Sequence, residues 1–374
     1  MSLFKVPITR ILKVEDHPNA ERLSLYTVYG FQVIGGKNQY QVNDRVVYIP
    51  VDSILPQQVE SIVFPEDSKV KLNKSRVRQI RLRSLVSQGL LIEPKSLRSI
   101  VNLEYVKDET DVSEMLGVTK YEPPAPKQQT GPNTSGKGRK ALAHPDFHKY
   151  NGIDNIKWFP SFFKPDQEVI IQEKIHGSHC RAGVLKYRSN TLWKKIKKFL
   201  KLTPEYENVY GSNNVDITNS SSYTGYYGTD IYGTVLNKIN AFDKIKPNEI
   251  IFGEIFGPKI QAGYEYGLKE HDFILFDVKK VLEDGSQVWL DPEQVEMYAF
   301  ERGFKFVPVL YRGVYNEALS KSLAKGPSIF CKQEPVIEGV VIKARFNYSI
   351  EGNKQCLKLI NEDYLQNNKN TDFH

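Results

Sequence analysis

Lys174 is the residue of this chain best placed for covalent chemistry. It follows Val169-Ile170-Ile171, a β-branched run that makes a buried strand, and Gly177 ends that strand. A lysine at the mouth of a strand packs its stem on apolar neighbours and aims its amine into the bordering cleft. Desolvation and nearby cations can turn an amine there into a nucleophile. An ordinary edge-strand lysine would fit the same short run of residues. The stretches downstream decide between the two.

Ile250-Ile-Phe-Gly-Glu-Ile-Phe-Gly257 is an apolar strand with a single carboxylate, Glu254. Phe273-Ile-Leu-Phe-Asp-Val278 carries Phe276 beside Asp277. In Ile337-Glu-Gly-Val-Val-Ile-Lys343, Glu338 opens a strand that ends in Lys343, and Cys356-Leu-Lys-Leu-Ile360 presents Lys358 between apolar neighbours. One carboxylate in a β-rich run is usually a rim residue. Four strands that each carry one suitable group make a nucleotide pocket for transfer through a lysyl intermediate. An amine attacking an α-phosphate needs a stacking surface for the base, carboxylates for the ribose and a metal, and cations for the phosphates. Lys174 would supply the nucleophile, Phe276 the stack, Glu254 and Glu338 the carboxylates, and Lys343 and Lys358 the cations.

The elements that position these residues need a chain of some size. At 374 residues there is room for two domains, and 40% apolar with 25% charged content predicts a soluble globular fold. The excess of 51 Lys+Arg over 44 Asp+Glu suits a polyanionic partner. Cys180, Cys331 and Cys356 are far apart and outside any CxxC or His-rich context, which argues against a disulfide framework or a zinc site. Lys5, Pro7, Thr9 and Arg10 interrupt any apolar leader, and no apolar run approaches a membrane span. The expected setting is intracellular, in the cytoplasm.

From Val6 to about Tyr121 the chain reads as short strands between turn signals. Thr9–Val14, Leu25–Val28, Phe31–Ile34 and Arg45–Ile49 are β-rich, with bends at Tyr29-Gly30, Gly35-Gly36 and Asn43-Asp44. This spacing predicts a small barrel. Between Lys69 and Arg83 basic and apolar residues alternate, which predicts a strand with one cationic face for a phosphate backbone. Residues 122–145 are rich in Pro, Gly and small polar residues and predict a flexible linker. Leu192–Lys201 has the spacing of a basic amphipathic helix, suited to packing on the domain or to contact with an RNA backbone.

The same stretches carry a family resemblance. Val14–Leu23 and Val47–Pro56 resemble the OB-type domain that precedes the catalytic domain in certain RNA ligases. Glu173-Lys-Ile-His-Gly177 resembles motif I of the RNA ligase 2 branch of the covalent nucleotidyltransferases, and Phe252–Pro258 its motif IIIa. Phe273–Val278, Glu338–Lys343 and the segment around Lys358 resemble motifs III, IV and V. With the OB-like domain first, the chain resembles the Deinococcus and Naegleria type of ATP-dependent RNA ligase. Much of the superfamily has aspartate where His176 stands, and the ligase 2 branch shares the histidine. Motif V keeps one lysine of two, and the arginine expected within Val209–Asn214 is missing, leaving Ser212 or Asn213 in its place.

The resemblance implies an α+β fold. An OB-like β-barrel (1–121) and a linker (122–145) would precede an adenylyltransferase domain (146–374) built on ATP-grasp-like antiparallel sheets. It implies ATP with Mg2+ or Mn2+, and RNA with nicked or broken, duplex or structured ends. It suggests neither a membrane nor an obligate protein partner. Glu173, Lys174, Ile175, Glu254, Phe276, Glu338, Lys343, Lys358 and Asn213 would contact the nucleotide, and Glu254, Glu338 and His176 the metal. A GTP-using capping enzyme and an inactive RNA-binding protein are the alternatives.

Overall fold

The structure is a computed structural model that describes residues 3–66, 68, 71–121, 144–187, 204–218, 227–260, 266–329 and 336–367. The linker expected over 122–145, except for its last two residues, and the helix expected over Leu192–Lys201 lie outside the described residues.

In the N-terminal part, strands Ile8–Arg10, Arg45–Ile49 and Leu90–Ile92 form one antiparallel sheet, and Lys13–Asp16, Leu23–Val28 and Phe31–Gly36 form another. Strand side chains alternate between faces, and Arg45–Ile49 buries both. Val47 and Ile49 join Ile8 and Ile92 in one apolar cluster, while Val46 and Tyr48 join Tyr26 and Val28 in another. Three of the expected strands are present with small shifts at their ends, but Thr9–Val14 is broken at Ile11 and Leu12 into two strands that belong to different sheets.

The basic stretch from Lys69 to Arg83 departs from expectation. Among its described residues only Ile80–Leu82 is a strand, and positive φ angles at Lys74, Ser75 and Arg83 break the extended run. Arg76 turns inward instead of facing solvent. Its guanidinium pairs with Asp52 at 2.7 Å and lies over the Tyr121 ring. Alternation failed as a guide because Asp52, itself half-buried, gave this arginine a carboxylate partner.

The C-terminal part is built on two five-stranded sheets. One runs in the order Asp154–Asn155, Cys356–Ile360, Gly339–Ala344, Glu168–Glu173, Val309–Val314, and is antiparallel except at its first strand. The other is antiparallel throughout, in the order Tyr206–Ser212, Ser178–Lys186, Glu249–Phe256, Asp272–Val281, Gln287–Trp289. Val341 and Cys356 of the first sheet meet Leu185, Ile250 and Phe252 of the second in a shared core. Helices Ile231–Lys238 and Pro292–Arg302 cover the second sheet through Val235, Leu236, Val295 and Ala299.

The chain passes from the first sheet to the second between Glu173 and Ser178, so Lys174 sits on the crossover. The OB-like part is seated on this body by Trp158, whose indole packs with Tyr29, Phe31 and Tyr48. Among the described residues no helix is long and apolar enough to cross a membrane.

Candidate active site

The strand Glu168–Glu173 aims Lys174 between the sheets, and the Lys174 N–H donates to Gly339 C=O at 2.9 Å. Gly339 directly follows Glu338, so this bond sets the two functional side chains side by side. The Lys174 Nζ donates to Glu338 Oε1 at 2.5 Å. Gly177 brings the neighbouring strand close: a Cβ there would lie 2.6 Å from Ile255 O and 3.0 Å from Glu254 Cβ. Only glycine permits that approach.

Three titratable groups surround Lys174. Glu338 is buried, which by itself would raise its carboxyl; Lys174 and His176 outweigh that cost and hold it down at about 2. Burial pushes Glu254 up to about 8, with Lys174 opposing the shift and Glu338 adding to it. The Lys358 amine is lowered to about 8 by burial and then by the Lys174 charge, with Glu338 opposing. These mutual effects place Lys174, Glu254, Glu338 and Lys358 in one electrostatic neighbourhood. Glu254 Oε2 and Glu338 Oε2 are buried without a hydrogen-bond partner among the described residues.

His176 lies beneath this group. Its Nδ1 is 2.7 Å from Tyr364 Oη and 3.7 Å from Glu338 Oε2, and its backbone N–H donates to Tyr266 Oη. Ile175 is buried with Phe256, Tyr266 and Tyr364. Glu173 does not turn its carboxylate into the cleft: it accepts the Ser328 hydroxyl at 2.5 Å and the Ile329 N–H at 3.2 Å.

Phe276 is partly exposed and packs edge-on against Tyr150, with ring centroids 5.2 Å apart. Asn213 acts on Tyr150, whose N–H its Oδ1 accepts at 3.1 Å. Ser212 lies nearby, and the guanidinium that reaches it belongs to Arg181, spent on the carbonyls of Ser212 and Phe147.

Lys343 departs from the role expected of it. Its side chain is 2% exposed, and its Nζ donates to Asp277 Oδ1 and Phe276 C=O, both at 2.7 Å. The fully buried Asp277 also accepts from the hydroxyls of Tyr150 at 2.6 Å and Tyr348 at 3.1 Å. Burying a carboxylate requires this much compensation, so the lysine's charge is committed to Asp277. The Asp277 side chain was visible in the sequence beside Phe276. Its demand for a cation was not.

Sequence reasoning also passed over His179 and Lys354. The His179 ring sits 5.1 Å from Tyr150 and 5.7 Å from Phe276, opposite Glu254 in the strand ladder. Both of its ring nitrogens are buried without a hydrogen-bond partner among the described residues. Burial, then the Lys354 and Arg181 charges, lower it to about 3, so the ring is neutral at neutral pH. Lys354 stands two residues before Cys356, and its amine lies over the Tyr150 ring. The only sequence signal for His179 was its place in the motif I stretch.

With this geometry in view, the comparisons with known proteins decide the family. The RNA ligase family model matches residues 167–360, more than half of the chain, and an OB-fold domain model matches residues 5–94. The chain belongs to the RNA ligase family. The fold of this ligase is shared along its length with Naegleria gruberi RNA ligase. A lysine-to-alanine variant of that protein, solved with ATP and Mn, is 22% identical, covers 97% of this chain and 98% of that one, and has a TM-score of 0.73. The form with PPi is 22% identical, covers 98% and 99%, and has a TM-score of 0.72. A variant with AMP and Mn is 22% identical, covers 96% and 98%, and has a TM-score of 0.71.

Two outcomes follow for this ligase. Lys343→Met leaves Asp277 buried without its cation, and urea unfolding should show a loss of about 3–5 kcal/mol. His179→Phe keeps the ring packing and removes the group that resists protonation. A histidine lowered on folding contributes stability above its unfolded value, about 6.5, which is lost as pH falls toward 3. The acid-unfolding midpoint of His179→Phe should therefore lie at lower pH than that of the unaltered protein, as read by circular dichroism.

Proposed function

We propose that this RNA ligase uses ATP and a divalent cation to join a 3′-hydroxyl to a 5′-phosphate RNA end through a lysyl-AMP on Lys174. The observation that carries this reading is the convergence of Lys174 with Glu338 at 2.5 Å, and with Glu254 and Lys358, beside the partly exposed Phe276 ring. The Naegleria structures with ATP and with AMP and Mn support the choice of nucleotide and metal.

Attack uses the lone pair of Nζ, so the Lys174 ammonium must first part from Glu338 and give up a proton to solvent. A bond then forms from Nζ to the α-phosphorus, the bond to the β-phosphate oxygen breaks, and pyrophosphate leaves. AMP passes next to the RNA 5′-phosphate, and the 3′-hydroxyl displaces it. Phe276 stacks the base, the Glu173–Ile175 backbone frames the nucleotide, and Lys358 lies along the phosphates. Lys343 acts from behind by holding Phe276 through its carbonyl.

Among the described residues no group of three or more His, Cys, Asp or Glu side chains is arranged to hold a metal. The unpartnered oxygens of Glu254 and Glu338 fit an ion that takes one or two carboxylates and completes its shell with phosphate oxygens and water, as Mg2+ does. His176 is engaged with Tyr364 and would support that pair from beneath. A bound ion would supply charge neutralisation at the phosphates.

For the substrate we infer template-bridged ends in duplex or structured RNA, as RNA repair requires. The division into 1–121 and 146–374 supports this, because a cleft of about 240 Å3 between the two parts is lined by Arg78, Lys120 and Lys358. Cations there suit a phosphate backbone entering beside the nucleotide.

Incubation with α-labelled ATP should label Lys174, and Lys174→Ala should lose the label while still sealing a pre-adenylylated RNA end. A label from GTP alone would point to a capping enzyme, and RNA binding without a label, in protein stripped of AMP, to an inactive relative. The Lys358 ammonium loses its charge above about pH 8. The KM for ATP should rise several-fold above that pH. In Lys358→Arg it should stay flat, because guanidinium remains charged.

A further inference from the structure

Asn361, Glu362, Asp363 and Tyr364 each touch a different part of the machinery. The Asn361 N–H donates to the Glu338 carbonyl at 2.9 Å, and its side-chain amide donates to Ile337 C=O at 3.2 Å. Glu362 Oε1 accepts from Lys157 Nζ at 2.7 Å. Asp363 Oδ1 accepts from Arg81 of the OB-like domain at 3.3 Å. Tyr364 is 1% exposed, and its hydroxyl meets His176 Nδ1 at 2.7 Å.

Lys157 is the second node. Its Nζ also donates to Gln88 Oε1 at 2.7 Å, and its carbonyl accepts the Gly30 N–H at 2.8 Å, both on the OB-like domain. The next residue, Trp158, is the one whose ring fills that domain's aromatic cluster. A path therefore leads by hydrogen bonds from Gln88 through Lys157 to Glu362, along the chain to Tyr364, by a hydrogen bond to His176, and across a 3.7 Å contact to Glu338, which holds Lys174. The exposed Arg81–Asp363 pair contributes little, since such pairs are screened by solvent. The links that matter are the half-buried Lys157–Glu362 bond and the buried Tyr364–His176 bond.

We propose that Asn361–Tyr364 is a coupling segment through which the seating of the OB-like domain sets the position of His176 and Glu338, with Tyr364 as the positioning residue. The segment is short and hydrogen-bonded at both ends, so a shift of Lys157 moves Tyr364 instead of being absorbed. Displacing His176 alters the support under Glu338, and with it the release of Lys174 from its ion pair. Seating of RNA on the OB-like domain would reach the adenylylation centre by this route. The consequence for adenylylation rests on the reading of Lys174 as the nucleophile.

A double-mutant cycle tests it, with Tyr364→Phe and Glu362→Gln assayed by single-turnover adduct formation per active enzyme. Tyr364→Phe keeps the ring and its packing. It should slow adduct formation about tenfold at saturating ATP with little change in KM, and Glu362→Gln about threefold. The pair together should be no slower than Tyr364→Phe alone. Rates that multiply, or an unchanged rate in Tyr364→Phe, would overturn the coupling.

The NMR signals of the His176 ring give a readout that needs no activity. Both variants should shift them in the full chain, and a ring unmoved by Glu362→Gln refutes the proposal whatever the adduct assay returns. If the His176 signals respond while the unaltered protein forms no adduct at Lys174, the nucleophile reading fails and the structural coupling stands.

Discussion

The active-site architecture depends on one buried carboxylate. Asp277 has no exposure, and it gathers Lys343 from one sheet, Tyr150 from the segment before the domain's first strands, and Tyr348 from the loop after Gly339–Ala344. A charge so deep is tolerated only when every lone pair is met, so four separate pieces of chain are drawn to one point. Lys343 also holds the carbonyl of Phe276. The two sheets and the ring at the mouth of the cleft are thereby locked in one arrangement behind Lys174.

In front of that lock the balance is deliberately incomplete. Among the described residues Glu254 and Glu338 each keep an oxygen without a hydrogen-bond partner, and both His179 nitrogens are in the same state. Unpartnered buried polar atoms cost stability, and several of them around one cleft suit a site finished by its ligands. Burial pulls Glu254 and Lys358 toward neutrality, while the charge of Lys174 keeps Glu338 ionised. The same lysine is at once nucleophile in the reading proposed and counter-ion in the resting structure.

The candidate site stood out in the sequence because its residues sit on strands that are themselves strong signals. Val169–Ile171, Ile250–Gly257 and Cys356–Ile360 are apolar runs, and a polar group inside one stands out. What could not be read was the partner of each charge. Lys343 and Lys358 look alike as lysines on short strands, yet one is sealed against Asp277 and the other borders the cleft between the domains. Arg76 looked like one cation of an exposed face until Asp52 took it inward. Glu173 and Asn213 stand beside the site but hold the Ser328–Ile329 turn and the Tyr150 backbone.

The sequence by itself determined the order of the apolar runs, the polar groups set into them, and the family to which that order belongs. Local pattern suffices there, because burial and side-chain period act over a few residues. Only the tertiary structure decided which charges are spent inside and which are left to a ligand. It also decided that Asn361–Tyr364 reaches Glu338, His176 and Arg81 of the OB-like domain together. Those outcomes turn on the distance between groups far apart in the chain, Asp277 and Lys343 by 66 residues and Lys174 and Glu338 by 164, and electrostatic energy in a desolvated interior changes steeply with that distance.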